Sequence, residues 1–284
     1  MLTPSCAAGA RATVGKGPLG ASAQPNKEAA TIGRMTQDLF RSDAYLRECE
    51  AKVLRIEEGG IVLDRTVFYP QGGGQAGDSG SLGGPNGLAI AIADSRKAKD
   101  EQGKPTADIL HVPAPDQEAA LAALRPGDTV VARIDWERRH KLMRFHTATH
   151  LLCHLVPQPV DGCSITPEYA RLDFHMTDPL DKDALTAGLA RLVAEAHALE
   201  VGAISDAELD ANPALVKSMS VQPPRGSGQV RTIRIGGADD GARIDYQPCG
   251  GTHVANTREI GAVVVSKIEK KSAHTRRVVL GWAA

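Results

Sequence analysis

Aromatic residues are scarce in this chain, at 4% of 284 residues, and no apolar run approaches the length of a membrane span. The second absence excludes a helical integral membrane protein and leaves no membrane partner. An excess of charge of either sign is missing too. The formal net charge is −1, so no global basic field draws the chain to nucleic acid, and any RNA contact must come from local patches. Cysteines are few and odd in number: Cys6, Cys49, Cys153, Cys163 and Cys249. Such a scattered set, with no apolar stretch of the secretory kind at the start, excludes a disulfide framework and points to a reducing, cytoplasmic setting. No internal repeat is present. What is plentiful is Gly (29) and Pro (17), a composition that suits a turn-rich β component.

Residues 1–34 stand apart in composition. They are rich in Ala, Gly, Ser, Thr and Pro and carry Arg11, Lys16, Lys27 and Arg34 against the single acid Glu28. They read as a disordered leader, or as the product of an upstream start with Met35 as the true one. A basic, acid-poor organelle transit peptide is the alternative. From Met35 the pattern becomes globular. Lys52–Ile56 and 61–69 read as strands joined at Glu58-Gly59-Gly60, followed by the glycine-rich run Tyr69-Pro70-Gln71-Gly72-Gly73-Gly74-Gln75. Apolar or alternating stretches at 88–93, 107–112 and Thr129–Ile134 complete a small barrel or sandwich over about 42–135.

A helix is expected next, with Asp135 as N-cap, Leu142, Phe145, Leu151, Leu152 and Leu155 on its buried side, and Pro157-Gln158-Pro159 as its stop. A strand at 169–176 follows. Then come a helix from Asp181 and a shorter one from Ser205, where Glu208 completes a capping box. A hairpin at 230–235 and 242–247, and strands at 260–268 and 276–280, end the chain. The fold class expected is α+β: a small N-terminal β-barrel domain over 35–136, then a domain over 137–284 with helices packed on a largely antiparallel sheet.

Two motifs about a hundred residues apart carry the chemistry. His146-Thr147-Ala148-Thr149-His150 places two imidazoles one helical turn apart on one face. Alone, that spacing is a weak signal. Cys249-Gly250-Gly251-Thr252-His253 is stronger, because its glycines let thiolate and imidazole converge on one point. Together His146, His150, Cys249 and His253 offer a four-ligand set suited to one Zn²⁺ per chain. His154 and His175 read as ordinary. A closed structural zinc is the plain alternative, but such sites are usually Cys-rich and built from ligands close in sequence. Bound zinc polarises a carbonyl and lowers the pKa of water to about 7, chemistry that suits ester hydrolysis. A protease of the His-Glu-x-x-His kind is disfavoured, since Thr147 stands where its Glu would be.

These residues resemble a known family. His146–Leu152 with Cys249–Thr257 is similar to the editing domain of alanyl-tRNA synthetase and to the free-standing AlaX alanyl-tRNA editing proteins. Phe68–Gln75 is similar to that family's glycine-rich motif, Arg171-Leu172-Asp173-Phe174 to its Arg-Phe-Asp-Phe strand, and Ile268–Lys271 with Arg276-Arg277 to its C-terminal strands. The likeness covers roughly residues 36–282. Its β-domain without a long C-terminal extension resembles the medium-length class.

The resemblance implies a zinc-dependent aminoacyl-tRNA deacylase. Such an enzyme hydrolyses mischarged tRNA(Ala) in trans, chiefly Ser-tRNA(Ala), with Gly-tRNA(Ala) as a further candidate. It makes His146, His150 and Thr149 the candidate catalytic residues, with Thr149 reading the serine hydroxyl. Thr149, Gly73, Gly74 and Gln75 become candidate substrate contacts. One departure stands out: where the synthetase domain has a Gln before a Gly, this chain reads Pro159-Val160-Asp161-Gly162, and the nearest amide is Gln158.

Arg138, Arg139, Lys141 and Arg144 flank the His helix, and Lys267, Lys270, Lys271, Arg276 and Arg277 cluster near the end of the sequence. They are expected to meet phosphates of the tRNA(Ala) acceptor end. A solvated charged face is the plain alternative. No stable protein partner is implied. A full synthetase is excluded, since neither a candidate aminoacylation domain nor a Walker-type loop is found. Two rivals remain: a non-catalytic tRNA-binding module with a structural zinc, and a zinc hydrolase of another ester.

Overall fold

In the computed structural model, residues 35–220, 222–223, 228–239 and 241–283 are described, and the leader expected over 1–34 lies outside them. The chain first builds β1 (Gln37–Asp38), which pairs in parallel with β4 (Arg65–Thr66). Around this short bridge, β2 (Glu48–Glu57), β3 (Gly60–Leu63), β5 (Gly80–Gly83), β6 (Ala89–Lys99), β7 (Pro105–Pro113) and β8 (Thr129–Ile134) close a barrel. Its strand order is β2-β3-β7-β6-β5-β8, antiparallel at every pairing. Closure follows from alternation. Along β8 every second residue (Val130, Ala132, Ile134) is buried, and β6 does the same with Ile90 and Ile92. These side chains meet Leu63, Phe68 and Leu82 in one barrel core. The barrel-or-sandwich expectation thus resolves as a barrel. A helical turn, α1 (Glu118–Ala123), precedes β8.

The last barrel strand runs straight into α2 (Trp136–Leu155). Asp135 caps it by accepting from the Arg138 amide at 3.2 Å, and Pro157 follows its end. The second half of α2 is buried nearly all round, from Phe145 to Cys153, because sheets and helices enclose it. After it, β9 (Val160–Ile165) and β10 (Tyr169–His175) join β14 (Val263–Ser272) and β15 (Thr275–Trp282) in a sheet ordered β14-β15-β10-β9. Asp181 caps α3 (Lys182–Ala194), and the Ser205–Glu208 capping box starts α4 (Asp206–Ala211). A second sheet, β11-β12-β13, is made of β11 (Leu199–Ser205), β12 (Gln229–Gly236) and β13 (Arg243–Pro248). Leu142, Leu152, Phe174, Leu189, Ile233 and Leu280 belong to the core shared by these elements. Barrel and sheets belong to one compact unit over 35–284, and the boundary expected at 136/137 falls in the first turn of α2.

Some elements differ from expectation. The strand expected over 61–69 breaks at Asp64, and only Gly60–Leu63 and Arg65–Thr66 pair. The strand expected from 260 begins at Val263, because Thr257–Ile260 forms a 3₁₀ turn ended by Gly261 at φ +67°. β5, β9, β11 and α1 carry no clear apolar period. β5 is bounded by glycines and β11 is largely exposed, so neither displays an alternating pattern.

Candidate metal centre

The two motifs converge. One ligand atom from each of His146, His150, Cys249 and His253 lies within 4.8 Å of all the others. The Cys249 Sγ stands 3.2 Å from His253 Nε2 and 3.5 Å from His146 Nε2. Helix α2 presents two of these groups one turn apart, and the loop after β13 brings the other two. That loop fits because Gly251 has no side chain: a Cβ there would lie 2.1 Å from His146 Cε1.

Each imidazole is held from behind by a different oxygen. His146 Nδ1 lies 2.7 Å from Gln75 Oε1, His150 Nδ1 lies 2.7 Å from Asp245 Oδ2, and His253 Nδ1 lies 3.2 Å from Thr147 Oγ1. A donating Nδ1–H leaves Nε2 with a free lone pair, the tautomer a metal needs. Thr147 is saturated in this role. It donates to the Met143 carbonyl at 2.9 Å and also accepts from the Val254 amide at 3.3 Å. Gln75 is fully buried, and its Nε2 donates to Thr252 Oγ1 at 2.9 Å while its Oε1 accepts from the Thr252 amide at 3.1 Å. Asp245 also accepts from Gln247 Nε2 at 2.8 Å and pairs with Lys217. The donor set and its supports therefore fit a tetrahedral N₃S zinc site.

Electrostatics agree with the geometry at Cys249 and His253, whereas His150 must give up a proton to serve as a ligand. Burial pushes the Cys249 thiol up, but His146 and His253 beside it outweigh that and hold it well below its ordinary 9.0, toward thiolate. Burial, then the neighbouring His146, lowers His253 to about 3. Burial would lower His150, yet Asp245 and Cys249 outweigh it and raise that imidazole to about 9. Asp245 responds in turn: burial opposes its charge, and His150 with Lys217 brings it down to about 2.

The centre opens onto a cavity of about 590 Å³. His146, His150, Thr149, Cys249, Gly72 and Gly73 stand on its wall. Thr149 donates to the His146 carbonyl at 2.7 Å and keeps its oxygen available to accept. Gln75 is fully buried off the cavity wall, where it holds His146. Gly74 is also absent from the wall. Its backbone sits at φ +86°, and a Cβ would press on Cys163 Sγ at 2.9 Å, so it serves the packing of the glycine loop on β9. At the departure noted in sequence, Val160 lines the cavity with Cys153, Cys163 and Leu172, while Asp161 turns to His175 and Thr275. Gln158 is exposed and off the wall; the amides that do line it include Gln71 and Gln247.

The basic residues expected to meet RNA divide. Arg139 is fully buried: it donates to Asp78, to the Val67 carbonyl at 2.6 Å and to the Ala44 carbonyl at 2.9 Å. Arg276 is 8% exposed and spent on the carbonyls of Ser272, Thr275 and Thr177. Both guanidinium groups serve as structural ties, because buried charge needs acceptors. Arg277 pairs with Asp173 at 2.7 and 2.9 Å, and Lys267 with Glu269 at 2.6 Å. Arg144 donates to the Ile260 carbonyl at 2.8 Å and covers the Trp282 ring, while Arg138 donates to the Gly77 carbonyl at 3.1 Å. Lys141, Lys270 and Lys271 are exposed, and none of the nine lines the cavity.

Comparison with known proteins decides the family. An alanyl-tRNA editing protein AlaX-M of Saccharolobus solfataricus is 33% identical over 251 residues, covering 86% of this chain and 98% of that protein. The chain belongs to the AlaX-M alanyl-tRNA editing family. An AlaX-M protein of Methanosarcina mazei is 31% identical over 253 residues, covering 86% of this chain and 95% of its own. An alanine–tRNA ligase of Sulfurisphaera tokodaii is 31% identical over 250 residues, which is 25% of the ligase. Residues 230–279 match the family described as the threonyl and alanyl tRNA synthetase second additional domain, and 37–138 match class II (A) tRNA synthetases. Among the described residues no helix is long and apolar enough to cross a membrane.

The sequence alone did not reveal Gln75 as a support for His146, nor Asp245 for His150. They lie 71 and 95 residues from the imidazoles they hold. Thr147 was visible only as the residue next to a ligand.

Proposed function

We propose that this AlaX-M family member removes the wrong amino acid from mischarged tRNA(Ala) by hydrolysing its ester in trans. Ser-tRNA(Ala) is the chief substrate and Gly-tRNA(Ala) a further one. The observation that carries this reading is the position of the four-residue cluster: three of its members, His146, His150 and Cys249, stand on the wall of a cavity large enough for an aminoacyl ester. Bound to His146, His150, Cys249 and His253, a zinc ion would supply Lewis acidity toward the ester. Gln75, Asp245 and Thr147 fix the imidazole rings, so the ligand geometry is set before substrate arrives. His146 and His150 act as ligands rather than as proton carriers, since both ring nitrogens of each are committed. The described residues on the cavity wall include no Asp or Glu, so no carboxylate base is at hand.

Selectivity rests on Thr149. Its hydroxyl hydrogen is spent on the His146 carbonyl, so its oxygen accepts from a serine hydroxyl. A correct alanyl ester leaves that buried oxygen unpaired, which disfavours it. The smaller pocket of a synthetase poorly excludes one added hydroxyl, so a second site of this kind completes the discrimination. Cavity and cluster together favour this reading over a purely structural zinc.

The test is release of labelled serine from Ser-tRNA(Ala) against release of alanine from Ala-tRNA(Ala). Serine should leave at least tenfold faster, and Thr149→Val should narrow that ratio by about tenfold, the value of one hydrogen bond of roughly 1.4 kcal/mol. Equal release of both amino acids, or of neither, would contradict the assignment.

A further inference from the structure

Among the described residues, Arg41, Lys97, Lys217 and Arg231 bring positive charge to the cavity wall. Lys217 is engaged by Asp245. The other three arrive from separate segments, and two of them, Arg41 and Arg231, stand against the loop that holds Cys249. Arg41 ends the 3₁₀ turn Leu39–Arg41, and its Nη1 lies 3.4 Å from the place a Cβ on Gly250 would take. Arg231, on β12, donates from Nη1 to the carbonyls of Cys249 at 2.6 Å and Gly251 at 3.1 Å, while its Nε is buried with no hydrogen-bond partner. Lys97, on β6, is half-buried and donates to the Ala107 carbonyl at 3.0 Å.

Holding like charges together is costly, and the cost is visible. Burial, and then the charge of Arg41, lowers Lys97 below its ordinary 10.5. Nearby acids offset the group only in part. Asp38 pairs with Arg41, while Asp108 is taken by Arg55 and the Thr36 amide. A cluster with net positive charge, partly desolvated, beside a reactive centre is what an anion subsite requires.

We propose that Arg41, Lys97 and Arg231 form a phosphate subsite that takes the phosphodiester joining the last two nucleotides of the acceptor strand. This rests on the deacylase reading. An ester at the metal cluster is carried by the terminal ribose, and the 5′ phosphate of that same nucleotide must follow it into or against the cavity wall. That phosphate is the only charged group of the terminal nucleotide, and these cations rim the same cavity. Guanidinium forks and an ammonium supply charge-assisted donors to its oxygens without reading any base. The subsite therefore measures one nucleotide from the metal loop and admits only a 3′ end.

The test uses the full chain and an uncharged acceptor-stem hairpin ending in single-stranded CCA. A second hairpin has its last phosphodiester replaced by a neutral methylphosphonate. Wild-type protein should bind the neutralised hairpin about tenfold more weakly, as the loss of one charge-assisted contact implies. Lys97→Ala and Arg41→Gln should bind the two hairpins within about twofold of each other, and Lys97→Arg should restore the difference. The slope of log affinity against log salt should become shallower by about 0.7 in all when the contact to this one phosphate is lost. Thermal melts check that each variant is folded; Arg231 is left intact because it also braces the Cys249 loop. Equal binding of both hairpins by wild type, or the same tenfold loss in the variants, overturns the subsite. Because the hairpins carry no amino acid, failure of deacylation would leave this binding cycle readable.

Discussion

At the residue scale, the candidate metal centre depends on groups outside the four-residue cluster. Four ligands were legible because i, i+4 spacing makes neighbours on a helix, and because two glycines signal a tight loop. Their supports were not legible, since a Gln on a barrel loop and an Asp on a distant strand meet the imidazoles only through the tertiary fold. Asp245→Ala should weaken zinc affinity about 10- to 100-fold, by freeing the His150 ring and removing its acceptor. Competition with a colorimetric chelator measures this. Unchanged affinity would show that the ring is oriented by packing alone. Arg139 shows the opposite limit of sequence reading. It sits in a basic run that looks like an RNA-facing stripe, yet helical phase turns it onto Asp78 in the interior.

At the element scale, α2 joins the two halves of the site. Its N-cap, its stop at Pro157 and its apolar side were readable, because each is a local signal. Its anchoring was not. Arg139 near the start of α2 donates to buried Asp78, which follows the glycine loop and also accepts from the Tyr69 amide at 2.6 Å. This pair ties the helix that carries two ligands to the loop that carries Gln75. Asp78→Ala leaves a guanidinium buried without its counter-charge and should cost about 3–5 kcal/mol. Chemical denaturation should show that loss, and pairing the change with Arg139→Met should recover part of it. A loss within about 0.5 kcal/mol would mean that the two elements are held otherwise.

At the scale of the whole molecule, the α+β class and the barrel were legible from alternation in β6 and β8, while β11 escaped because its exposed side chains leave no pattern. The barrel also stores a pH response. His111 is fully buried, receives the Thr66 hydroxyl at 2.7 Å and donates to the Ile61 carbonyl at 3.0 Å, so its neutral form is satisfied. Burial lowers it from 6.5 to about 4, against a smaller opposing pull from Ile61. The unfolded chain thus takes up a proton between pH 6.5 and 4 that the folded chain refuses. Stability falls as pH drops through that window, by roughly 2 kcal/mol at pH 5. His111→Gln should be less stable at pH 7 but lose less than wild type on acidification. Parallel acid slopes would refute this.

Whether the metal centre acts on substrate or merely holds the fold is settled most directly on chelated protein. The account predicts that metal-free chain keeps its circular dichroism spectrum and a cooperative melt, releases no serine from Ser-tRNA(Ala), and recovers release at one equivalent of zinc per chain. Undiminished serine release by protein shown by metal analysis to be empty would contradict it, as would global unfolding on chelation.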